Sequence, residues 1–204
     1  RERARAAAAG AWSASPISVQ RLGAEIWRQI RTEDWSQVMI GIGVPTSLWN
    51  FDTHYRSIGS WGGGGMGYGP PASVGAALAN KKYGRFSVAI QGDGDFMYSP
   101  GALWTAAHHQ IPLLMVMHNN RAYNREVMWV ARTAAERERD VTQSDIGNSI
   151  DNPNIDYAKL AQSMGWYAEG PIENPADLGP AIRRALAVVE RGEPALLDTI
   201  TQPI

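Results

Sequence analysis

Cysteine is absent from these 204 residues, so neither a disulfide framework nor thiolate chemistry is open to the chain. Charge of either sign is not in excess. The 19 Lys and Arg against 20 Asp and Glu leave a net charge of −1, with no general pull toward nucleic acid or an anionic membrane. No apolar run approaches the ~20 residues that a bilayer-spanning helix needs. The histidines His54, His108, His109 and His118 lack metal-ligand spacing. No internal repeat is visible. The opening RERARAAAAGAW carries no initiator Met, and its alanine run is too short and too weakly apolar for a secretory signal. The absence of cysteine is compatible with a reducing compartment, and the cytoplasm is the expected location. Residues 1–17 read as a linker, or the end of a helix, from a preceding domain. Residues 18–204 read as one domain with enough chain for a real core. On this reading the chain is a fragment of a longer polypeptide or one chain of a split enzyme.

What is present is an alternation of strands and helices. Ser18 caps a helix predicted to reach Arg31, with Leu22, Ile26 and Ile30 on one face. VMIGIG (38–43) reads as a first buried strand, followed by a loop, and SWGGGGMGYGPPA opens a small-residue helix SVGAALANKK. SVAIQ (87–91) and PLLMVMH (112–118) read as strands, with the helix GALWTAAHH (101–109) between them. A helix is predicted over Arg125–Arg139, then a polar, turn-rich and mobile loop through Asn154. IDYAKLAQSMG reads as a helix, WYAE as a short strand, PADLGPAIRRALAVVERG as an amphipathic helix and PALLDTIT as a last strand. The pattern predicts a three-layer α/β/α domain with a mainly parallel sheet.

Gly92-Asp93-Gly94 follows one apolar strand, and after 24 further residues Asn119-Asn120 follows another. Adjacent parallel strands bring a carboxylate and a carboxamide to one sheet edge, where open α/β sheets bind ligands. Their oxygens suit a hard cation such as Mg²⁺ that also takes diphosphate oxygens and water. Taken singly, each half looks like a strand followed by a turn capped by Asp or Asn.

Taken together, the two halves resemble the cofactor signature of the thiamine diphosphate enzymes. The likeness runs from about Pro16 to the C-terminus and is closest to the group containing acetolactate synthase and benzoylformate decarboxylase. It implies the diphosphate-binding domain of such an enzyme, with thiamine diphosphate and Mg²⁺ as cofactors. It also implies Asp93, the Asn120 side chain and the Ala122 carbonyl as metal ligands. The backbone amides of Gly94 and Asp95 become phosphate donors, and Tyr123 matches a position whose hydroxyl reaches the phosphate. Thr46 and Ser47 fall where relatives place further phosphate donors; a solvated loop is the other reading. Asp95 replaces the small residue often found there, so its charge is expected to turn away from a diphosphate or pair with a cation. In GGGGMGYG, Met66 matches the bulky residue that wedges between the two cofactor rings. The Gly64 carbonyl and the Met66 amide match contacts to the aminopyrimidine. Met66 packed in a tight turn is the plainer reading.

In NREVMWVAR, Met128 and Trp129 match positions that line the substrate pocket in acetolactate synthase. The competing reading makes both core residues of an amphipathic helix. Arg121 and Arg125 read as a solvated face, with a carboxylate partner as the other reading, His118 as satisfied core, and His54 as a weak acid/base candidate. The glutamate that activates the cofactor in this family belongs to a separate pyrimidine-binding domain. Glu25, Glu33, Glu126, Glu136, Glu138, Glu169, Glu173, Glu190 and Glu193 read as helix or turn residues in polar company. No catalytic residue is therefore assigned to this chain. The implied partner is a pyrimidine-binding domain, in cis or on a second subunit, in a homodimeric or homotetrameric enzyme. The implied reaction breaks or forms a C–C bond on a 2-oxo acid, as a decarboxylase or an acetolactate synthase-like carboligase. The rival is a noncatalytic or regulatory nucleotide-binding α/β module using GGGGMG as a phosphate loop; the chain lacks the strand–GxGxxG–helix arrangement and the Walker lysine for it.

Overall fold

Short apolar stretches separated by helices build a five-stranded, all-parallel sheet in the order β1-β2-β3-β5-β4. The computed structural model describes residues 2–41, 43–59 and 65–203. The strands are β1 (Trp35–Met39), β2 (Phe86–Gly92), β3 (Leu114–Asn119), β4 (Tyr167–Ile172) and β5 (Ala195–Ile200). The helices are α1 (Glu2–Gly10), α2 (Val19–Ile30), α3 (Gly69–Lys81), α4 (Asp93–Phe96), α5 (Ala102–His108), α6 (Asn124–Glu136), α7 (Tyr157–Ser163) and α8 (Pro175–Glu190). Among the described residues no helix is long and apolar enough to cross a membrane.

Period-two alternation divides the core. Val88, Ile90, Leu114, Val116 and Leu197 face α2 and α8, whereas Ala89, Met115, Met117 and Leu196 face α3, α5 and α7. Both faces are covered, as a parallel sheet requires. Trp27, Trp35, Trp49 and Phe51 form one aromatic cluster, and the Trp49 indole N–H is satisfied by the Gly23 carbonyl at 2.9 Å. Each such ring pair contributes ~0.5–1.5 kcal/mol beyond its burial. Gly23 is forced: a Cβ there would lie 2.4 Å from the Pro45 carbonyl oxygen. α2 is thereby pressed against the loop that leaves β1.

Ser18 caps α2 as expected, its side chain accepting from the Arg21 amide. α3 starts at Gly69, ahead of the predicted SVGAALANKK, because Pro70 and Pro71 occupy first-turn positions that need no N–H. The first strand is also earlier than predicted, Trp35–Met39 rather than 38–43. Its polar residues explain the displacement. Ser36 and Gln37 are buried, and the Ser36 hydroxyl donates to the Tyr55 carbonyl at 2.6 Å. Glu169 is not in a helix or turn but on β4, where Arg184 pairs with both its oxygens at 2.8 and 2.6 Å. Glu25 is on α2 but is buried, and it accepts from Arg28 at 2.8 Å.

The first residues do not trail away from the domain. The Ser18 hydroxyl donates to the Ala11 carbonyl at 3.0 Å, and the Arg21 guanidinium lies over the Trp12 ring. Buried Ile17 bridges Thr201, extending the sheet pairing beyond β5. The turn-rich segment 140–154 is tied to the site: Tyr123 donates to Asn148 at 2.8 Å, and Ile150 to Arg121 at 2.7 Å.

Candidate active site

β2 and β3 are neighbours in register, with Gly92 opposite His118, so the chain leaves both strands at one edge. A cavity of about 370 Å³ opens there. Asp93, Gly94, Asn120, Ala122 and Tyr123 line it, and so do Met66, Gly41 and Gln91. Residues far apart in the chain thus share one wall-and-floor arrangement.

Asp93 is 2% exposed and starts the short helix α4. Its Oδ1 accepts from the Gly94 amide at 3.0 Å and its Oδ2 from the Ala122 amide at 3.2 Å. The Asn120 Oδ1 accepts from the same Ala122 amide at 3.1 Å. Carboxylate and carboxamide oxygens therefore converge on one N–H. Burial pushes the Asp93 carboxyl up to about 7, against the opposing effect of these amides. Among the described residues no cationic side chain contributes to this shift. Among the described residues no cluster of three or more His, Cys, Asp or Glu side chains could hold a metal ion alone.

Gly94 is required by its neighbour. A Cβ there would sit 2.5 Å from Tyr123 Cδ1 and 2.6 Å from Cε1, so the Tyr123 ring lies directly on the glycine. The Gly94 amide donates to Asp93 Oδ1. Asp95 also lines the cavity, but its carboxylate is bonded to the glycine turn. Its carboxylate accepts from the Gly67 amide at 2.6 Å, the Gly69 amide at 3.0 Å and the Gln91 side chain at 2.7 Å. Met66, the residue before this turn, is 40% exposed and faces the cavity. Gly64 lies outside the described residues.

Thr46 and Ser47 occupy a turn after β1 and do not line the cavity. Met128 and Trp129 are 51% and 66% exposed, and α6 buries no residue. The reading of these two as core is overturned: the apolar stripe of α6 is uncovered. They lie beyond Asn124, Arg125 and Glu126, the part of α6 that does line the cavity. Arg121 pairs with Glu173 at 3.4 Å, a mostly exposed contact of small worth. His54 is exposed at the start of a 3-10 turn, residues His54–Arg56, and does not line the cavity. His118 is buried, and its Nδ1 is 2.6 Å from the Thr201 hydroxyl. Burial pushes this imidazole down to about 4, so it is neutral. It is not wholly satisfied core: its Nε2 has no partner, and the residue lines the cavity.

One support escaped the sequence reading. The Asn119 amide donates to Asp198 Oδ1 at 2.8 Å, and the Asn119 Oδ1 accepts from the Arg121 amide at 3.2 Å. Asp198, 1% exposed on β5, thereby holds the turn that carries Asn120 and Ala122. A lone carboxylate in the apolar run PALLDTIT was the available signal.

A parallel sheet with a cavity at its carboxyl edge, a buried carboxylate and Met66 among the lining residues defines a cofactor-binding α/β domain. Comparison with known proteins gives the family. Residues 41–199 match the family described as "Thiamine pyrophosphate enzyme, C-terminal TPP binding domain", and the chain belongs to that family. Benzoylformate decarboxylase of Pseudomonas aeruginosa is 31% identical over 141 residues, covering 69% of this chain and 24% of the relative. Acetolactate synthase isozyme 2 large subunit of Escherichia coli is 33% identical over 112 residues, covering 55% and 19%. The solved thiamine diphosphate-dependent 4-hydroxybenzoylformate decarboxylase of Rhodococcus jostii superposes with a TM-score of 0.72 at 26% identity. That match covers 91% of this chain and 33% of the other. The chain spans about a quarter of the length of the curated relatives it matches.

The buried carboxylate gives a pH signature. Without a cation, the folded state holds the Asp93 proton up to about 7, whereas the unfolded chain releases it near 3.8. The folded state therefore binds more protons between those values, and Asp93 costs stability as pH rises through that window. Asp93→Asn removes this cost. The variant is expected to gain stability relative to the unaltered protein from pH 4 to 7, with the gap vanishing below the window. Chemical denaturation across pH without divalent cations checks it; a pH-independent difference would show that Asp93 ionises normally.

Proposed function

We propose that this chain is the diphosphate-binding half of a thiamine diphosphate- and Mg²⁺-dependent enzyme that breaks or forms a C–C bond on a 2-oxo acid. The observation that carries this is the convergence of Asp93 and Asn120 oxygens at a cavity whose far wall is Met66. The residues fit the group. One buried carboxylate and one carboxamide suit a hard cation that completes its shell with diphosphate oxygens and water. A divalent cation would also remove the penalty that now raises the Asp93 pKa. Asp93 and Asn120 would hold the ion with the Ala122 carbonyl, and Tyr123 packed on Gly94 would shape the phosphate end. Met66 would support the rings. When bound, thiamine diphosphate supplies a nucleophilic carbon and an electron sink for cleaving C–C bonds.

This chain binds and orients rather than activates. Two of its glutamates are engaged elsewhere, Glu169 by Arg184 and Glu25 on α2 by Arg28 and Gln29, while Glu126 stands at the cavity on the first turn of α6. The activating glutamate would come from a pyrimidine-binding domain, in cis or on a second subunit of a homo-oligomer. Met128 and Trp129, exposed on α6, would form one wall of a substrate pocket that such a domain completes. Against a nucleotide module, the Gly67 and Gly69 amides that a phosphate loop would offer already donate to Asp95.

Relatives include both a decarboxylase and a synthase. We expect turnover of pyruvate by the full polypeptide, or by the chain with its partner domain. Product analysis decides the class: acetolactate marks a carboligase and acetaldehyde a decarboxylase. No Mg²⁺- and thiamine diphosphate-dependent product from pyruvate or an aryl 2-oxo acid would contradict the assignment.

A further inference from the structure

Asp95 sits two residues after Asp93, on the same short helix, yet serves the opposite wall of the cavity. Both its oxygens are taken. Oδ1 accepts from the Gly67 amide, and Oδ2 from the Gly69 amide and the Gln91 side chain, at 2.6, 3.0 and 2.7 Å. Charge-assisted bonds of this kind are short and directional. The grip is double-sided, because the Ser99 hydroxyl donates to the Gly67 carbonyl at 2.6 Å. Residues 95 and 99 thus hold residue 67 by both of its backbone polar groups.

The turn itself is shaped to be gripped. Gly67 has φ +85°, a conformation that favours glycine, and a Cβ there would lie 2.8 Å from Tyr98 Cβ. A Cβ on Gly69 would meet Gln91 Oε1 at 2.1 Å and Asp95 Oδ2 at 2.4 Å. The carboxylate is therefore in direct contact with bare backbone, and a Cβ at 69 would displace it and the Gln91 side chain from these positions. Met66 is attached to this turn and projects into the same cavity as Asp93 and Asn120.

We propose that Asp95 is a positioning residue: its carboxylate latches the Gly67–Gly69 turn to the helix that carries Asp93, fixing Met66 relative to the metal-binding carboxylate. The inference rests on the cofactor reading given above and adds to it a physical link between the ring end and the diphosphate end. With its bonds made toward the turn, the carboxylate is committed to the backbone of residues 67 and 69 although the residue lines the cavity.

The latch predicts a split between two ligands. In Asp95→Ala, Gly67 and Gly69 amides should exchange with deuterium at least ~10-fold faster in the ligand-free protein. Thiamine diphosphate with Mg²⁺ should bind ~10-fold more weakly by calorimetry, whereas inorganic diphosphate with Mg²⁺ should change by less than about twofold. Asp95→Asn keeps one acceptor oxygen and should recover thiamine diphosphate affinity to within about threefold. Should Asp95→Ala fail to fold, Ser99→Ala tests the other side of the grip and should show both effects more weakly. Unchanged exchange at Gly67 and Gly69 would overturn the latch. Equal weakening of both ligands, or of neither, would overturn its positioning role. Asp93→Ala in the same assays separates the two levels: if it weakens neither ligand, the cofactor reading itself fails, whatever Asp95 does to the turn.

Discussion

Asp93→Ala is expected to weaken Mg²⁺-dependent binding of thiamine diphosphate by at least ~100-fold. Loss of outer-shell partners alone typically costs 10- to 100-fold in metal affinity, and Asp93 would be the only anionic protein ligand. The fold should survive. The substitution removes a carboxyl that burial already raises to about 7, so it relieves desolvation while leaving the Gly94 and Ala122 amides without that acceptor. Asp93→Asn keeps the shape and should lose the metal dependence as well. Calorimetric titration with and without Mg²⁺ checks both variants, and circular dichroism confirms folding. Affinity equal to that of the unaltered protein would remove Asp93 from the site.

Gly94→Ala is expected to have the second largest effect, although it adds only a methyl group. The added carbon would need the space held by Tyr123, whose ring atoms lie 2.5 and 2.6 Å away. Either the ring swings out or the helix start shifts, and each moves the Asp93–Ala122 contact. Misplacement by about 1 Å costs on the order of 100-fold where geometry governs function, so a loss of tenfold to 100-fold in thiamine diphosphate affinity follows. Tyr123→Ala should rescue it by vacating the clash, and the double variant should bind better than Gly94→Ala alone. A double variant no better than Gly94→Ala would place the effect of Gly94 elsewhere.

Much of this was legible in the sequence where local rules suffice. Ser18 announces the start of α2, and the apolar runs around Ile90 and Val116 are two neighbouring interior strands. The Asp93–Asn120 juxtaposition follows from placing two such strands side by side. The failures share one cause: tertiary contacts override local appearance. Ser36 and Gln37 look too polar for a strand, yet Ser36 is satisfied inside by the Tyr55 carbonyl. The periodicity of α6 shows which face is apolar but not whether anything covers it, so Met128 and Trp129 were misread as possible core. That the Asp95 carboxylate needs partners was foreseeable from charge alone. Its partners, 26 and 28 residues away in the glycine turn, were not. Asp198, 79 residues from the Asn119 it anchors, shows the same limit.

The central claim is that a divalent cation on Asp93 and Asn120 and rings against Met66 share this one cavity. A crystal structure of the protein with thiamine diphosphate and Mg²⁺ tests it most directly. The account predicts octahedral density ~2.1 Å from oxygens of Asp93 and Asn120, diphosphate oxygens on the same ion, and a thiazolium ring in van der Waals contact with Met66. Diphosphate bound at the Gly67–Gly69 amides in place of Asp95, or a cofactor lying away from Asp93, would contradict it.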